Sequence, residues 1–147
     1  MKAGVRTFID LTECGELCSY ATAGVLPLSS EGEEGERIEY YNFPIPDRQL
    51  PPSLPYLLSI LTRIQTSLSQ GRMTAVHCRG GIGRTGTVIG CFLVQTGLVR
   101  DGEEALGVIA ELWKGVEKCR RYKCSPETGE QAEFVRRFRR VEGQVDY

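Results

Sequence analysis

Apolar and polar positions divide the chain into alternating strand-like and helix-like segments. Residues 5–11 predict a buried strand, which is bounded by Thr12, Glu13 and Gly15. Residues 19–36 predict a long connection, and its part from 29 to 36 indicates an exposed acidic loop. Residues 37–41 alternate apolar and polar side chains as a strand does, and the apolar run 74–76 predicts a further strand.

Four helices are predicted from apolar side chains that recur with the helical period. The first spans residues 54–68 and stops at Gly71. The second, around residues 88–94, is nearly all apolar, which predicts a central buried helix. Asp101 is the predicted cap of the third helix, and Trp113 is expected in the core. The predicted stripe of the third helix is Ala105, Leu106, Ile109, Leu112, Trp113 and Val116; the last helix is marked by Phe134, Val135, Phe138 and Val141, with Arg136, Arg137, Arg139 and Arg140 on its other face.

These segments predict an α/β fold, a three-layer sandwich in which helices flank a short, mostly parallel central sheet. A length of 147 residues with 41% hydrophobic content suits one packed domain over residues 1–147. No apolar run approaches the roughly 20 residues of a membrane-spanning helix. The first six residues contain no signal-peptide core, so neither a membrane span nor secretion is expected.

Charge is placed unevenly although the formal net charge is only −1. Residues 1–50 carry a net charge of −5 and residues 51–147 a net charge of +4. The overall balance gives no reason to expect nucleic acid as a partner. The basic half indicates either attraction of anionic substrates or simply solvated helix faces.

Six cysteines without a secretion signal predict a reducing, cytoplasmic location. The pairs Cys14/Cys18 and Cys119/Cys124 have spacings compatible with a zinc site. No second ligand motif accompanies them, so ordinary thiols are the favoured interpretation.

The decapeptide 77–86 reads His-Cys-Arg-Gly-Gly-Ile-Gly-Arg-Thr-Gly and lies between a predicted strand and a predicted helix. Such a turn and helix start leave backbone N–H groups unpaired, and N–H groups curled around one point form a nest for an oxyanion. Cys78 lies at the mouth of this nest and Arg84 closes its far side. Because the helix N-terminus and the guanidinium both favour a thiolate, the motif predicts an ionised nucleophile beside a phosphate site.

The run from Cys78 to Thr85 resembles the Cys-x5-Arg-Ser/Thr signature of the cysteine-dependent protein tyrosine and dual-specificity phosphatases. The resemblance extends over roughly residues 5–141. It implies that Cys78 attacks phosphorus, that Arg84 binds phosphate oxygens, and that the Thr85 hydroxyl helps the sulfur leave. The same hydroxyl could also cap the helix, and the two roles are compatible. The phosphate loop then comprises Arg79, Gly80, Gly81, Ile82, Gly83 and Arg84, with glycines that permit close approach and positive φ.

The proton donor has to come from outside this loop. His77 precedes Cys78 on a strand, so the two side chains point to opposite faces, and the resemblance gives His77 the role of a buried residue that orients the loop. Asp47 is the strongest candidate because Pro44 and Pro46 stiffen its loop and exclude a central strand. The segment resembles the acid loop of small atypical dual-specificity phosphatases; otherwise Asp47 would merely initiate a turn.

Gln131 has two equally favoured interpretations. The resemblance implies a glutamine near this point that helps to place the hydrolytic water. Thr128-x-x-Gln131 fits a helix capping box equally well.

The sequence therefore predicts a protein phosphatase for phosphotyrosine, and for phosphoserine or phosphothreonine as a wider possibility, acting through a cysteinyl-phosphate. No metal or organic cofactor is expected, and phosphate, vanadate and tungstate are the expected inhibitory oxyanions. Two alternatives stay open. One is a phosphatase for a phosphoinositide, an inositol phosphate or an RNA 5′ phosphate, and the other is a non-catalytic phosphopeptide-binding module.

Overall fold

A three-stranded parallel sheet forms the centre of the fold. The computed structural model describes residues 4–18 and 37–143, so the predicted connection and acidic loop over 19–36 lie outside the described residues. The strands follow the spatial order β2–β1–β3, and every pairing among them is parallel. They are β1 (Val5–Asp10), β2 (Glu39–Asn42) and β3 (Met73–His77).

Four α-helices within residues 4–18 and 37–143 accompany the sheet. The predicted α/β class, with a short parallel sheet flanked by helices, is confirmed. Helix α1 begins after Ser53, whose hydroxyl accepts the N–H of Tyr56 at 3.2 Å. As predicted, Asp101 caps the third helix by accepting the N–H of Glu104 at 2.9 Å. The helices are α1 (Leu54–Ser69), α2 (Gly83–Gln95), α3 (Gly102–Trp113) and α4 (Gly129–Arg137), with a short 3-10 helix (Glu117–Arg120) between the last two.

Helix α2 is the central buried helix that the sequence predicts, since it contacts α1, α3, α4 and β3. Val88 and Cys91 of this helix are fully buried and share one core with Ile9 of β1 and Leu61 of α1. Since β1 and β3 are adjacent and parallel, their carboxyl ends lie side by side at one edge of the sheet. The segments that follow the two strands therefore meet there.

The predicted stripe on α3 is only partly correct. Ala105, Ile109 and Trp113 are buried, and the indole N–H of Trp113 donates to the carbonyl of Tyr122 at 2.7 Å. Leu112 is 70% exposed, because it lies on a side of α3 that faces neither α2 nor α4. Val116 lies beyond the end of the helix and is also exposed.

Helix α4 ends earlier than predicted, at Arg137, and Phe138 already has extended dihedral angles. The reason lies in the side-chain amide of Gln95, which binds both the N–H and the carbonyl of Val141 at 3.0 Å. This pairing draws the chain off the helical path. Arg139 and Arg140 therefore follow the helix rather than lying on its face.

Two glycines of α3 give a matched test of its packing. A methyl group at Gly102 would overlap the carbonyl oxygen of Val135 in α4, whereas one at Gly107 would meet nothing within 4 Å. We expect Gly102→Ala to lower the free energy of unfolding by about 1–3 kcal/mol through overpacking. Gly107→Ala should raise it by about 0.5–1 kcal/mol, since alanine favours an exposed helix. Urea unfolding measures the free energy of unfolding of both variants. Equal changes in the two would show that Gly102 does not pack closely against Val135.

Candidate active site

The sulfur of Cys78 lies in a cradle of main-chain amides between β3 and α2. Cys78 follows the last residue of β3 and is only 6% exposed. The N–H of Gly81 donates to its Sγ at 3.2 Å. Gly81 has a φ of +71°, a conformation that favours glycine and that turns this N–H inward. The loop therefore forms the nest that the sequence predicts.

Hydrogen bonds make this thiol more acidic than an ordinary cysteine. Burial raises the pKa of Cys78, but the hydroxyl and N–H of Thr85 and the N–H groups of Gly81 and Ile82 outweigh it, and the net pKa lies below the usual 9.0. The Cys91 thiol is buried in the core without such donors, and burial raises its pKa. Of these two buried thiols, only Cys78 has an environment that favours the thiolate.

Alkylation measures this acidity directly, since the thiolate is the reacting form. We expect the rate of iodoacetamide labelling at Cys78, followed by peptide mass spectrometry, to reach half its maximum below pH 9.0. Thr85→Val should move that midpoint to higher pH, because it removes the hydroxyl and keeps the side-chain size. Cys91 is the internal control and should stay unlabelled in the folded protein. An unchanged midpoint in the Thr85 variant would remove its hydroxyl from the stabilisation of the sulfur.

The Thr85 hydroxyl has one further property. It is buried, and no atom of the described residues meets it with good hydrogen-bond geometry, although it lowers the pKa of the neighbouring thiol. It does not cap α2, whose N-cap residue is Ile82 and has no side-chain cap. The capping role suggested for Thr85 is therefore wrong.

The Arg84 guanidinium is fully buried and is held by a carboxylate that the sequence analysis missed. Glu16 accepts from Nη1 at 2.7 Å and from Nη2 at 2.8 Å, which is a bidentate pair. Nη1 also donates to the carbonyl of Ile45 at 2.8 Å. Glu16 has a lowered pKa because of its hydrogen bond to Arg84. These contacts fix the plane of the guanidinium before any ligand binds.

Glu16 follows β1, in the segment that meets the loop after β3. The only sequence signal for it was the position of a carboxylate shortly after a predicted strand. Which partner it meets depends on the strand order β2–β1–β3, which the sequence did not specify.

Asp47 lies beside this guanidinium, as a candidate proton donor requires. Its Oδ1 accepts from Nη2 of Arg84 at 3.0 Å, and its side chain is 62% exposed. The preceding Ile45 is fully buried, and its N–H donates to the carbonyl of Leu11 at 3.0 Å. The acid loop is thus anchored to the end of β1 by backbone bonds as well as stiffened by its prolines.

Asp47, Cys78 and all the predicted loop residues except Gly81 line one cavity of about 390 Å³. Tyr122 and Glu127, which the sequence did not suggest, complete its wall. Both come from the stretch between α3 and α4, whose approach to the loop depends on helix packing. The cavity is lined by Asp47, Cys78, Arg79, Gly80, Ile82, Gly83, Arg84, Tyr122 and Glu127.

Gly83 serves packing rather than positive φ. A methyl group there would lie 2.8 Å from the side-chain oxygen of Gln131 and 3.2 Å from Cβ of Glu127. Gln131 is fully buried and forms the predicted capping box with Thr128. Its amide nitrogen also donates to the carbonyl of Gln49 at 3.2 Å, so Gln131 links the acid loop to α4 behind the phosphate loop. Gln131 is not among the cavity-lining residues.

His77 lies behind the nucleophile and is partly exposed rather than buried as predicted. Its Nδ1 is 3.2 Å from the carbonyl oxygen of Cys78 and 3.9 Å from a carboxylate oxygen of Asp10. Asp10 in turn accepts hydrogen bonds from Thr12 and Tyr40. The imidazole is therefore placed against the backbone of the loop.

The pairs Cys14/Cys18 and Cys119/Cys124 belong to no metal-binding cluster in the part of the chain that the structure describes. Within residues 4–18 and 37–143, no group of three or more histidine, cysteine or acidic side chains is close enough to hold an ion. All six cysteines are free. In the same part of the chain, no helix is long and apolar enough to cross a lipid bilayer.

Comparison with known proteins relates this geometry to an enzyme family. The protein tyrosine phosphatase domain-containing protein 1 of Mus musculus is 35% identical over 96 residues, which cover 62% of this chain and 12% of the mouse protein. The protein of the same name from Danio rerio is 32% identical over 117 residues, which cover 74% of this chain and 15% of the Danio rerio protein. The chain therefore spans only a small part of the length of these two relatives.

Solved structures match over most of the chain. The crystal structure of Tk-PTP in its active form is 28% identical, with a TM-score of 0.66 over 90% of this chain and 77% of that one. Kinase-associated phosphatase has the same fold, with a TM-score of 0.70 at 23% identity over 93% of this chain and 70% of the other. A family model described as "Tc-R-P: Polymorphic toxin system, DSP-PTPase phosphatase" matches residues 1–98. With about two thirds of its length matched by that model and the sulfur, guanidinium and carboxyl in one cavity, this chain belongs to the DSP-PTPase phosphatase family.

Proposed function

We propose that this chain is a protein phosphatase that hydrolyses phosphotyrosine, and also phosphoserine or phosphothreonine, through a cysteinyl-phosphate. The observation that carries the proposal is the single cavity lined by the Cys78 sulfur, the Arg84 guanidinium and the Asp47 carboxyl. A nucleophile, a positive fork and a proton donor are the groups that transfer of a phosphoryl group requires.

Binding of the phosphate begins at the guanidinium. Glu16 accepts from both Nη1 and Nη2 of the Arg84 guanidinium. The carbonyl of Ile45 also accepts from Nη1, and Asp47 also accepts from Nη2. A phosphate oxygen can replace the Asp47 contact, because that carboxyl is 62% exposed and has room to turn away. The amides of residues 79–84 then receive the other oxygens, and the carboxyl is free to turn toward the ester oxygen.

In the first chemical step, the Cys78 thiolate attacks phosphorus and a sulfur–phosphorus bond forms. The bond from phosphorus to the ester oxygen breaks, and Asp47 gives its proton to that oxygen. In the second step, water attacks phosphorus while the Asp47 carboxylate takes its proton. The sulfur leaves as thiolate, which the Thr85 hydroxyl stabilises, and inorganic phosphate is released.

Glu16 acts in this scheme as a positioning residue for Arg84. We expect Glu16→Gln to lower kcat/KM by about 10- to 100-fold, because a displaced guanidinium no longer matches the phosphate. The same variant should bind tungstate more weakly, as measured by calorimetry on folded protein. The tungstate affinity of a folded variant reports the position of the Arg84 guanidinium, whereas a role of Glu16 in stability alone would leave it unchanged. Glu13→Gln is the matched control, since its exposed side chain lies in the same turn. Wild-type turnover and tungstate affinity in Glu16→Gln would exclude the role.

A substrate panel tests the proposed function. Purified protein is assayed with p-nitrophenyl phosphate and with phosphotyrosine, phosphoserine and phosphothreonine peptides, without added metal. The expected result is phosphate release from the aryl ester, from the phosphotyrosine peptide and, more slowly, from at least one of the other two peptides, inhibited by vanadate. Release from none of the four substrates by folded protein would overturn the proposal, and binding without release would favour a phosphopeptide-binding module.

We also propose a reducing, cytoplasmic setting and one catalytic domain over residues 1–147. The six free cysteines support the setting, since an oxidising compartment would favour disulfides. The single core shared by the sheet and the helices supports the domain assignment.

A further inference from the structure

A basic segment forms one side of the cavity mouth. Residues 114–124 contain five lysines and arginines and one glutamate. All of them except Cys119 are exposed. The basic residues are Lys114, Lys118, Arg120, Arg121 and Lys123, and we call this segment the basic rim.

Two hydrogen bonds hold the basic rim, one to the phosphate loop and one to the end of α3. Lys118 Nζ donates to the carbonyl of Gly80 in the phosphate loop at 2.9 Å. The carbonyl of Tyr122 accepts from the indole of Trp113, and the Tyr122 side chain lines the cavity. The positive charges therefore stand at a fixed place beside the opening, which distinguishes them from charges on a remote helix face.

Most of this charge has no carboxylate partner. Lys114 pairs with Glu111 at 2.6 Å, whereas no acidic group of the described residues lies within ion-pair distance of the other four basic side chains of the rim. The Arg121 guanidinium rests 5.6 Å from the centre of the Tyr122 ring, which leaves its charge available. The exposed Arg79 adds a further positive charge inside the mouth.

We propose that the basic rim binds acidic side chains that flank the phosphorylated residue of a peptide substrate. This inference rests on the proposed function and narrows its substrate class. Of the basic residues that the structure describes, only Arg79 and Arg84 line the cavity. Outside the cavity lie the side chains of Arg120, Arg121 and Lys123. They are placed to meet residues on either side of a phosphorylated residue in an extended peptide, in which residues are spaced about 3.3 Å apart. A second phosphate on the ring of an inositol phosphate would instead have to bind inside the cavity.

The charges of the basic rim should act mainly on the rate at which an acidic peptide binds, and this effect should depend on salt. Single exposed ion pairs contribute little, about 0–1 kcal/mol each. Several like charges beside one opening nevertheless raise the association rate of a charged ligand by about 10- to 1,000-fold at low ionic strength. Added salt screens this attraction.

The test compares two phosphotyrosine peptides that differ only in whether the flanking residues are glutamate or asparagine. The rim variant carries Arg120→Gln, Arg121→Gln and Lys123→Gln. The matched control carries Arg137→Gln, Arg139→Gln and Arg140→Gln, which remove the same charge from the end of α4 and the segment after it. We expect wild-type protein at low salt to prefer the acidic peptide by about tenfold in kcat/KM. The rim variant should lose this preference, while the control keeps it and all three proteins hydrolyse p-nitrophenyl phosphate equally.

Binding supplies a second readout that does not need turnover. The same substitutions are combined with Cys78→Ser, and fluorescence anisotropy measures the Kd of the labelled acidic peptide. If wild-type protein failed to hydrolyse p-nitrophenyl phosphate, the proposed function would fall and anisotropy would still decide the inference about the rim. Three outcomes overturn that inference: no preference for the acidic peptide, equal losses in rim variant and control, or a rim variant that loses only binding to phosphoinositide vesicles.

Discussion

Cys78→Ser is expected to lower turnover of p-nitrophenyl phosphate by about 10⁴-fold or more, since removal of a nucleophile eliminates the covalent route. Oxyanion binding should survive, because the amides of the loop and the Arg84 fork do not depend on the sulfur. The side chain that disappears is the one whose pKa the loop lowers. A serine hydroxyl in the same place stays protonated at neutral pH and is a poor nucleophile.

Cys14→Ser is the control for this experiment, since it makes the same chemical change at an exposed thiol. The measurements are steady-state rates and tungstate affinity by calorimetry, with thermal unfolding to show that all proteins fold. Rates near the wild-type value in Cys78→Ser would rule out the cysteinyl-phosphate. Loss of both turnover and tungstate binding in a folded Cys78 variant would mean that the sulfur helps to build the anion site itself.

The phosphate loop could be predicted from the sequence because its chemistry is local. Cys78 and Arg84 are separated by five residues of a strand–turn–helix connection, and a contiguous pattern of glycines and polar residues encodes that geometry. The long helices were predictable for a similar reason, since apolar spacing along α1 and α2 reports the side that meets the core.

Glu16 shows what such local patterns cannot encode. Its bond to Arg84 joins residues 68 positions apart and exists because β1 and β3 are neighbours in the sheet. Gln95 is a second case, since its amide binds Val141 across 46 positions and ends α4 early. Leu112 is a third, because helical period alone does not reveal which side of α3 has a partner. Each depends on how elements pack, and packing carries no fixed spacing along the chain.

Asp47→Asn is expected to lower kcat by about 10²- to 10⁴-fold for a phosphotyrosine peptide, the range that a positioned proton donor contributes. An asparagine oxygen can still accept from Nη2 of Arg84, so the loop keeps its contact while losing the proton that the ester oxygen needs. The loss should appear in kcat rather than KM, because the proton is transferred in the transition state. With p-nitrophenyl phosphate, whose leaving group departs without much help, the loss should be far smaller.

The dependence on the leaving group separates proton donation from a structural role. A misplaced acid loop would slow all substrates by a similar factor, whereas a missing proton slows them in proportion to the basicity of the departing oxygen. Asp101→Asn is the matched control, because asparagine caps α3 as well as aspartate does and the site is untouched. The measurement is kcat for a series of aryl phosphates whose leaving groups differ in pKa, and it distinguishes proton donation by Asp47 from a structural role. Equal slopes of log kcat against leaving-group pKa in wild type and Asp47→Asn would remove Asp47 from the proton transfer and leave it only as a ligand of Arg84.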